Sequence, residues 1–440
     1  MKLRSAVVVA VILLGVSSVF LRAKPGGGGS AVMGRMRTIG WETNTVQTAD
    51  LDGLGIGTSS LDSAVVNSGT RSLKFDSGAG NAAAYALVGL KIAEFPATGT
   101  PVFARAYFYF DNLPTAATTK VLVLKGFGGG AIVSARVTSG AKLALYNDVS
   151  NAQIGSDSAT TLAAATWYRI EVSYTSSSSA GTQAAELQLD GVSVASSSTL
   201  TIATSRNLSD LSIGWQTAPG ASLVGHADDF ALNDGLGASQ NSWPGQGKIV
   251  LLKPISDNAV GTGWVDGDGA GTLFGSVDNT PPVGAATPAD GTQIKNLTST
   301  TTANYDANMT TYSGGGLGPT DTISLVQAVI NHAEAIATGT KAGAVLIVSN
   351  PAQAVEDTFN YGDDGGAMGA FAANWSTQWG SAQYVPAVNI GTAPVMRVGK
   401  RTATTREVDV DFMGIYVEYI SGPPLRAFLE SPYTDTLLRM

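Results

Sequence analysis

The sequence predicts an all-β protein: an antiparallel β-sandwich followed by a second β-rich domain containing one α-helix. Three observations predict it. Only 14% of the 440 residues are charged, too few for many long salt-bridged helices, while 53 glycines supply turn positions. Apolar and polar residues alternate in short runs through the first half of the chain, the period of a half-buried strand. A usable helical stripe shows in one stretch alone, Thr322 to Ile336, where Ile323, Val326, Val329, Ile330 and Ala333 share a face behind the capping residues Thr320 and Asp321.

Residues 1–36 precede the folded pattern. Lys2 and Arg4 lead into the apolar run Ser5 to Leu21, and Gly26 to Ser30 reads as a flexible linker. The run is short for a span, which needs about 20 apolar residues. It suits a secretory signal or an uncleaved anchor. The other reading places the native start at Met33 or Met36, immediately before the strand-like Thr38-Ile39-Gly40-Trp41-Glu42.

Residues 37–240 read as a sandwich. Phe103 to Phe110 is aromatic-rich, and Lys120 to Leu124, Ala131 to Val137 and Lys142 to Tyr146 follow with Gly-rich breaks. In Trp167 to Tyr174, Tyr168, Ile170, Val172 and Tyr174 fall on one face, with Trp167, Arg169, Glu171 and Ser173 on the other. Glu186 to Val194 is a hairpin closed by Asp190-Gly191, a pair that tolerates the positive φ of a tight turn. Leu211 to Trp215 and His226 to Asp234 supply closing strands.

Residues 241–420 read as a second β-rich domain entered through Asn241 to Gly245. Its strands are Gly247 to Pro254, Ala342 to Val348, Val395 to Val398 and Val408 to Tyr419, with the helix between them and a tail over 421–440.

Composition removes several function classes. The net charge of −8 and the lack of a basic cluster exclude nucleic acid as a partner. The absence of cysteine removes disulfides, thiolate catalysis and Cys-ligated zinc. His226 and His332 lack a G-x-S-x-G nucleophile, so a Ser-His-Asp triad is set aside. Glycoside hydrolysis needs two carboxylates across one cleft, and an E-x-D-x-x-E strand is missing; a regular strand would aim Asp228 and Asp229 at opposite faces. Glu407, Asp409 and Asp411 share a strand face, read as solvated and paired with Arg397, Lys400 or Arg406 across a hairpin. Trp375, Trp379 and Tyr384, among amide side chains, form the candidate ligand-binding surface.

Ser72 to Phe75, Phe103 to Tyr107, Trp167 to Glu171, Leu187 to Gly191 and His226 to Phe230 occur in an order that resembles the concanavalin-A-like/laminin-G-like jelly-roll superfamily. The resemblance implies a jelly-roll sandwich of two sheets, with Ca²⁺ as a candidate ion at its rim, held by Glu42 on the first strand and Asp228 or Asp229 on the last. It leaves the ligand open, because such sandwiches host lectins, adhesins, hydrolases and structural proteins. The sandwich followed by WPGQGKIVLLKP from Trp243, DNTPPVG from Asp278 and MGIYVEY from Met413 resembles structural proteins of tailed bacteriophages. That implies a non-enzymatic virion structural or adhesion protein, forming homo-oligomers, with other virion or surface proteins and glycans as partners. A secreted or cell-surface lectin-like protein is the alternative, and a polysaccharide-cleaving enzyme the third reading.

Overall fold

The computed structural model describes residues 34–43, 54–79, 82–90, 95–202, 206–216, 219, 222–236, 240–267, 272–277, 293–296, 303–318, 321–334, 343–349, 357–359, 369–374, 385–386, 393–401 and 408–422. The first unit is built from β1 (Arg35–Ile39), β2 (Leu54–Ile56), β3 (Ser59–Asp62), β4 (Ser72–Asp76), β5 (Ala84–Gly89), β6 (Pro101–Phe110), β7 (Thr119–Gly126), β8 (Ala131–Val137), β9 (Leu143–Asn147), β10 (Ala152–Ile154), β11 (Trp167–Thr175), β12 (Gln183–Leu189), β13 (Val192–Leu200), β14 (Leu208–Trp215) and β15 (Val224–Asp234).

They form two antiparallel layers. An eight-stranded sheet runs β13-β12-β11-β6-β15-β4-β3, with β1 also paired to β15; a seven-stranded sheet runs β10-β9-β8-β7-β14-β5-β2. The alternation read from the sequence chooses the inner faces: Phe108, Phe110, Ile170, Val172 and Phe75 from one sheet meet Leu122, Leu124, Ile213 and Trp215 from the other. Phe75 packs edge-on to Trp215 at 5.2 Å and Phe110 stacks on it at 5.5 Å. Rings of this kind bury roughly 150–250 Å² each and dominate core energetics. The Asp190-Gly191 turn is the expected two-residue hairpin: φ is 53° and 84°, and Leu189 pairs with Val192.

The second unit contains β16 (Lys248–Leu252), β17 (Pro254–Val260), β18 (Trp264–Asp266), β19 (Ile294–Asn296), β20 (Ala303–Met309), β21 (Thr322–Glu334), β22 (Gly343–Ser349), β23 (Asp357–Phe359), β24 (Gly369–Asn374), β25 (Val385–Pro386), β26 (Val395–Lys400) and β27 (Val408–Ile420). One sheet runs β18-β19-β27-β21-β24, with β16 on β27 and β25 on β21; the other runs β17-β20-β26-β22-β23.

The expected helix is a strand. Residues Thr322–Glu334 are β21, paired to β27 along its length and to β24. Both faces of β21 are covered: Ile323, Val326, Ala328 and Ile330 enter the main core of this unit, while Val329 packs with Ile249, Phe412 and Tyr416. A register shift between Ile323 and Leu325 moves the inward series from 323 to 326. A strand apolar on both faces, bulged between Ile323 and Leu325, thus imitates the i, i+3, i+7 spacing of a helix.

The expected hairpin behind the acidic row is also absent. β26 and β27 lie in different sheets, and Arg397 grips Asp306 on β20 through bonds of 2.6 and 2.7 Å. Asp409 is half-buried opposite Lys295, with Val408, Val410 and Phe412 buried on the other face. Glu407 and the side chain of Asp411 lie outside the described residues.

The two units meet through buried groups. Gly40 approaches Ile249 so closely that a Cβ would lie 2.9 Å from its side chain. Beside it, Arg35 and Arg105 of the sandwich both reach Glu418 on β27, at 2.9 and 2.7 Å.

Candidate functional site

The outer face of the eight-stranded sheet is where chemistry-bearing side chains converge. Because side chains alternate along each strand, in-register pairs line up as rows across it. The first row is Trp167 (β11), Tyr109 (β6), His226 (β15), Lys74 (β4) and Ser60 (β3). The second is Arg169, Tyr107 and Asp228. The third is Glu171, Arg105 and Ala231, and the fourth Ser173, Phe103 and Asn233.

The first row is open in part. Trp167, Tyr109 and Lys74 are half-exposed. The Trp167 and Tyr109 rings lie 5.4 Å apart, and Tyr109 meets His226 edge-on at 5.8 Å. His226 itself is buried, 2% exposed. Its Nε2 is 3.2 Å from Asp111 and its Nδ1 is 3.6 Å from Asp62. Asp228 and Asp229, its neighbours in sequence, are not its partners. Burial lowers the imidazole pKa below its ordinary value, against the opposing pull of Asp111 and Asp62. Ser72 Oγ lies 3.5 Å from Nδ1 and donates to the Val65 carbonyl at 2.5 Å, so its proton is already committed. In the second row, burial raises the Tyr107 phenol, while Arg105 and Arg169 pull the other way.

Glu42, Asp228 and Asp229 lie near one another because β1 pairs with β15. A register shift between Asp228 and Ala231 and a left-handed Asp229 (φ 52°) break the regular strand. The two adjacent aspartates therefore turn to the same loop instead of to opposite faces. Asp228 accepts from the backbone N–H of Asn67 (2.9 Å), Ser68 (3.2 Å) and Asp229 (2.8 Å). Asp229 accepts from Asn67 Nδ2 (2.6 Å), Ser68 Oγ (2.5 Å) and the Ile249 N–H (2.6 Å). Glu42 accepts from the N–H and hydroxyl of Thr70 and the N–H of Arg71. Burial raises all three carboxyl pKa values, and the mutual repulsion of Asp228 and Asp229 adds to it for Asp228.

This donor set does not fit a calcium ion. The oxygens are of the hard kind calcium takes, but backbone N–H dipoles point at them and would face the cation with like polarity. Among the described residues, no three His, Cys, Asp or Glu side chains form a metal-holding group.

The third row is a buried ion network. Arg105 is fully buried; its Nε donates to the Asp229 carbonyl at 3.1 Å and its Nη1 lies 2.7 Å from Glu418. Burial lowers the guanidinium pKa, but Glu418, Tyr107, Asp229 and Glu171 outweigh it and the net shift is upward. Burial likewise raises Glu418, and Arg35 and Arg105 outweigh it, so that carboxyl stays below its ordinary value.

Other expected sites fall elsewhere. Trp375, Trp379 and Tyr384 lie outside the described residues, as does the side chain of His332, whose backbone is in β21. Trp215 and Trp264 are buried in the two cores. A concavity of about 460 Å³ on the five-stranded sheet is lined by Val260, Thr262, Asn304, Asp306 and Arg397. Sequence reading had placed Trp167, Arg169 and Glu171 on one face; what it missed was the row, since Asp62, Asp111 and Tyr109 reach His226 only through strand register.

No family model matches the chain, and no curated protein matches it. Among solved structures it is similar to the cellulose-induced protein Cip1, at 16% identity over 43% of this chain and 87% of that one, with a TM-score of 0.33. It is similar to an endo-β-1,4-glucuronan lyase from the fungus Trichoderma reesei, at 15% identity over 40% and 86%, TM-score 0.32. A Trypanosoma rangeli sialidase in complex with sialic acid follows at 16% identity over 40% and 27%, TM-score 0.29. At these values the likenesses carry no argument about ligand or chemistry. The chain folds as an antiparallel β-sandwich joined to a second, equally β-built unit.

Proposed function

We propose that this chain is a non-enzymatic structural and adhesion protein of a virion surface, of the tailed-phage kind, that holds glycan on the partly open row of its eight-stranded sheet. The observation that carries the glycan reading is the in-register row Trp167, Tyr109, His226 and Lys74, in which Trp167, Tyr109 and Lys74 are partly exposed around a buried His226. Flat rings beside hydrogen-bonding groups suit a sugar, whose C–H face stacks on aromatics while its hydroxyls find donors and acceptors. Binding is favoured over cleavage by the state of the titratable groups. His226 is buried with a lowered pKa, the Ser72 hydroxyl donates its hydrogen bond to the Val65 carbonyl, and Asp228 and Asp229 are occupied by N–H and O–H donors. The structural part of the reading is supported by the buried Arg35–Glu418–Arg105 bridge, which fixes one unit on the other. The virion part rests on the order of sequence segments, and self-association belongs with it.

Glycan-array binding and calorimetry on the wild type and on Trp167→Ala, with product analysis of the same incubations, test the proposal. Binding without product, weakened about tenfold or more by Trp167→Ala, is expected. Turnover of any glycan overturns the non-enzymatic reading, and full binding by the variant overturns the site. Mass spectrometry of purified particles against envelope fractions tests location. Recovery only from envelopes, with the apolar segment intact, favours the exported surface protein.

A further inference from the structure

The five-stranded sheet of the second unit carries a separate group of polar side chains on its outer face. On β20, Ala303, Tyr305 and Ala307 enter the core, so Asn304 and Asp306 stand on the other side. On β26, Met396 and Val398 enter the core, so Arg397 and Gly399 stand with them. Register sets Asp306 opposite Arg397 and Asn304 opposite Gly399.

The end of β17 walls this floor. The Gly261 N–H donates to the Asn304 carbonyl at 2.8 Å. A Cβ at Gly261 would lie 2.5 Å from that carbonyl oxygen, so a glycine lets the turn sit this close. Asn296 Nδ2 on β19 donates to the Thr262 carbonyl at 3.3 Å and fixes the far side of the turn. Floor and wall enclose the concavity of about 460 Å³. Small-molecule sites span roughly 300–1,000 Å³. Its lining reaches solvent: Ala259, Val260 and Thr262 are exposed, and the Arg397 side chain is 26% exposed.

Two arginines set the polarity. Arg397 takes both oxygens of Asp306, at 2.6 and 2.7 Å. Arg401 Nη1 donates to Asn304 Oδ1 at 2.7 Å. The Arg401 guanidinium lies where a Cβ of residue 399 would stand, so Gly399 makes room for it. With Oδ1 engaged, the amide of Asn304 has its Nδ2 donors to offer a ligand. Two guanidiniums thus stand beside one carboxylate at this floor, on a chain whose net charge is −8. The wall, by contrast, presents the aliphatic side chains of Ala259 and Val260.

We propose that this concavity binds a hexuronic acid. The carboxylate meets the Arg397 guanidinium and the Asn304 amide, whose planar donors suit a planar acceptor. The C–H face of the sugar lies on Ala259 and Val260, and its hydroxyls reach Thr262. Arg401 is a positioning residue: it orients the Asn304 amide and adds charge from behind it. The site is independent of the row on the sandwich and of the glycan reading made there.

Titration of the full chain with sodium glucuronate, glucose and inorganic phosphate tests the proposal, followed by calorimetry and by the methyl resonances of Val260. Glucuronate is expected to shift those resonances and to bind about tenfold or more tighter than glucose, the worth of a charge-assisted hydrogen bond. Gly399→Ala puts a methyl where the Arg401 guanidinium lies. It is expected to weaken glucuronate severalfold while melting as the wild type does. Should it melt lower, Arg401→Gln gives the same readout without touching the strand. Equal affinity for glucose, phosphate binding as tight as glucuronate, still Val260 methyls, or full glucuronate affinity in the folded variant each overturns the proposal.

Discussion

The carboxylate of Glu418 lies 2.7 Å from the guanidinium of Arg105, and neither side chain reaches solvent. The contact is close yet off the hydrogen-bond axis, so it is held by charge more than by direction. Arg35 reaches the other oxygen at 2.9 Å along a proper hydrogen bond, from a position 383 residues away in the chain. One acidic side chain of the second unit thus neutralises two cations of the first.

Removing that acid strands both cations. Glu418→Gln is expected to destabilise the fold by about 3–5 kcal/mol, because a buried charge without its partner is costly. Urea unfolding of the whole chain measures it. The double variant Arg105→Met with Glu418→Leu should lose less than the sum of its single changes. Additivity would show that the pair is not coupled.

The N-terminal strand gives a second measurement. Arg35 also bonds Asn233 at 2.6 Å, and the Gly34 carbonyl accepts from the Asp234 N–H at 2.8 Å. A chain beginning at Met33 keeps both contacts; one beginning at Met36 loses them. The shorter chain is expected to be less stable by about 1–3 kcal/mol, because Glu418 keeps Arg105 but loses the charged hydrogen bond from Arg35. Equal melting of the two chains would show that the Arg35 bridge contributes nothing.

The buried carboxylates set a pH dependence. Asp228 has a folded pKa well above its ordinary 3.8, from burial first and Asp229 second. Its contribution to stability is therefore full below the unfolded pKa and is lost as pH rises through the folded one. His226, with a lowered pKa, acts in the opposite sense, losing its contribution as pH falls below its ordinary 6.5. The difference between wild type and Asp228→Asn isolates the carboxyl. The wild type is expected to gain on the variant as pH falls toward the ordinary carboxylate value of 3.8. A difference that stays constant down to pH 3.8 would mean that Asp228 folds with an ordinary pKa.

Trp215 tests the sandwich core. Its ring is fully buried between Phe75 and Phe110. Trp215→Ala should cost about 3–5 kcal/mol in unfolding free energy. A change within experimental error would place the ring outside the core.

Much of the sandwich was legible because a strand's side chains alternate whatever surrounds it. Tyr168, Ile170 and Val172 pointed inward and Trp167, Arg169 and Glu171 outward on sequence pattern alone, and they do so in the fold. The same rule failed at β21, where both faces are covered and a bulge shifts the series, so that Ile323, Val326 and Ile330 read as a helical stripe. It failed again at Asp228 and Asp229, where the left-handed residue turns both carboxylates to one loop.

The sequence by itself determined the β character of the chain, the hairpin at Asp190-Gly191 and the inward set of the first unit. These are local consequences of backbone period and turn chemistry. The tertiary structure alone decided that Trp167, Tyr109, His226 and Lys74 form one row, that Asp62 and Asp111 are the partners of His226, and that Arg35 and Arg105 share Glu418. Strand order and register bring these groups together, and a charge finds its partner by distance in the folded core, which no spacing along the chain encodes.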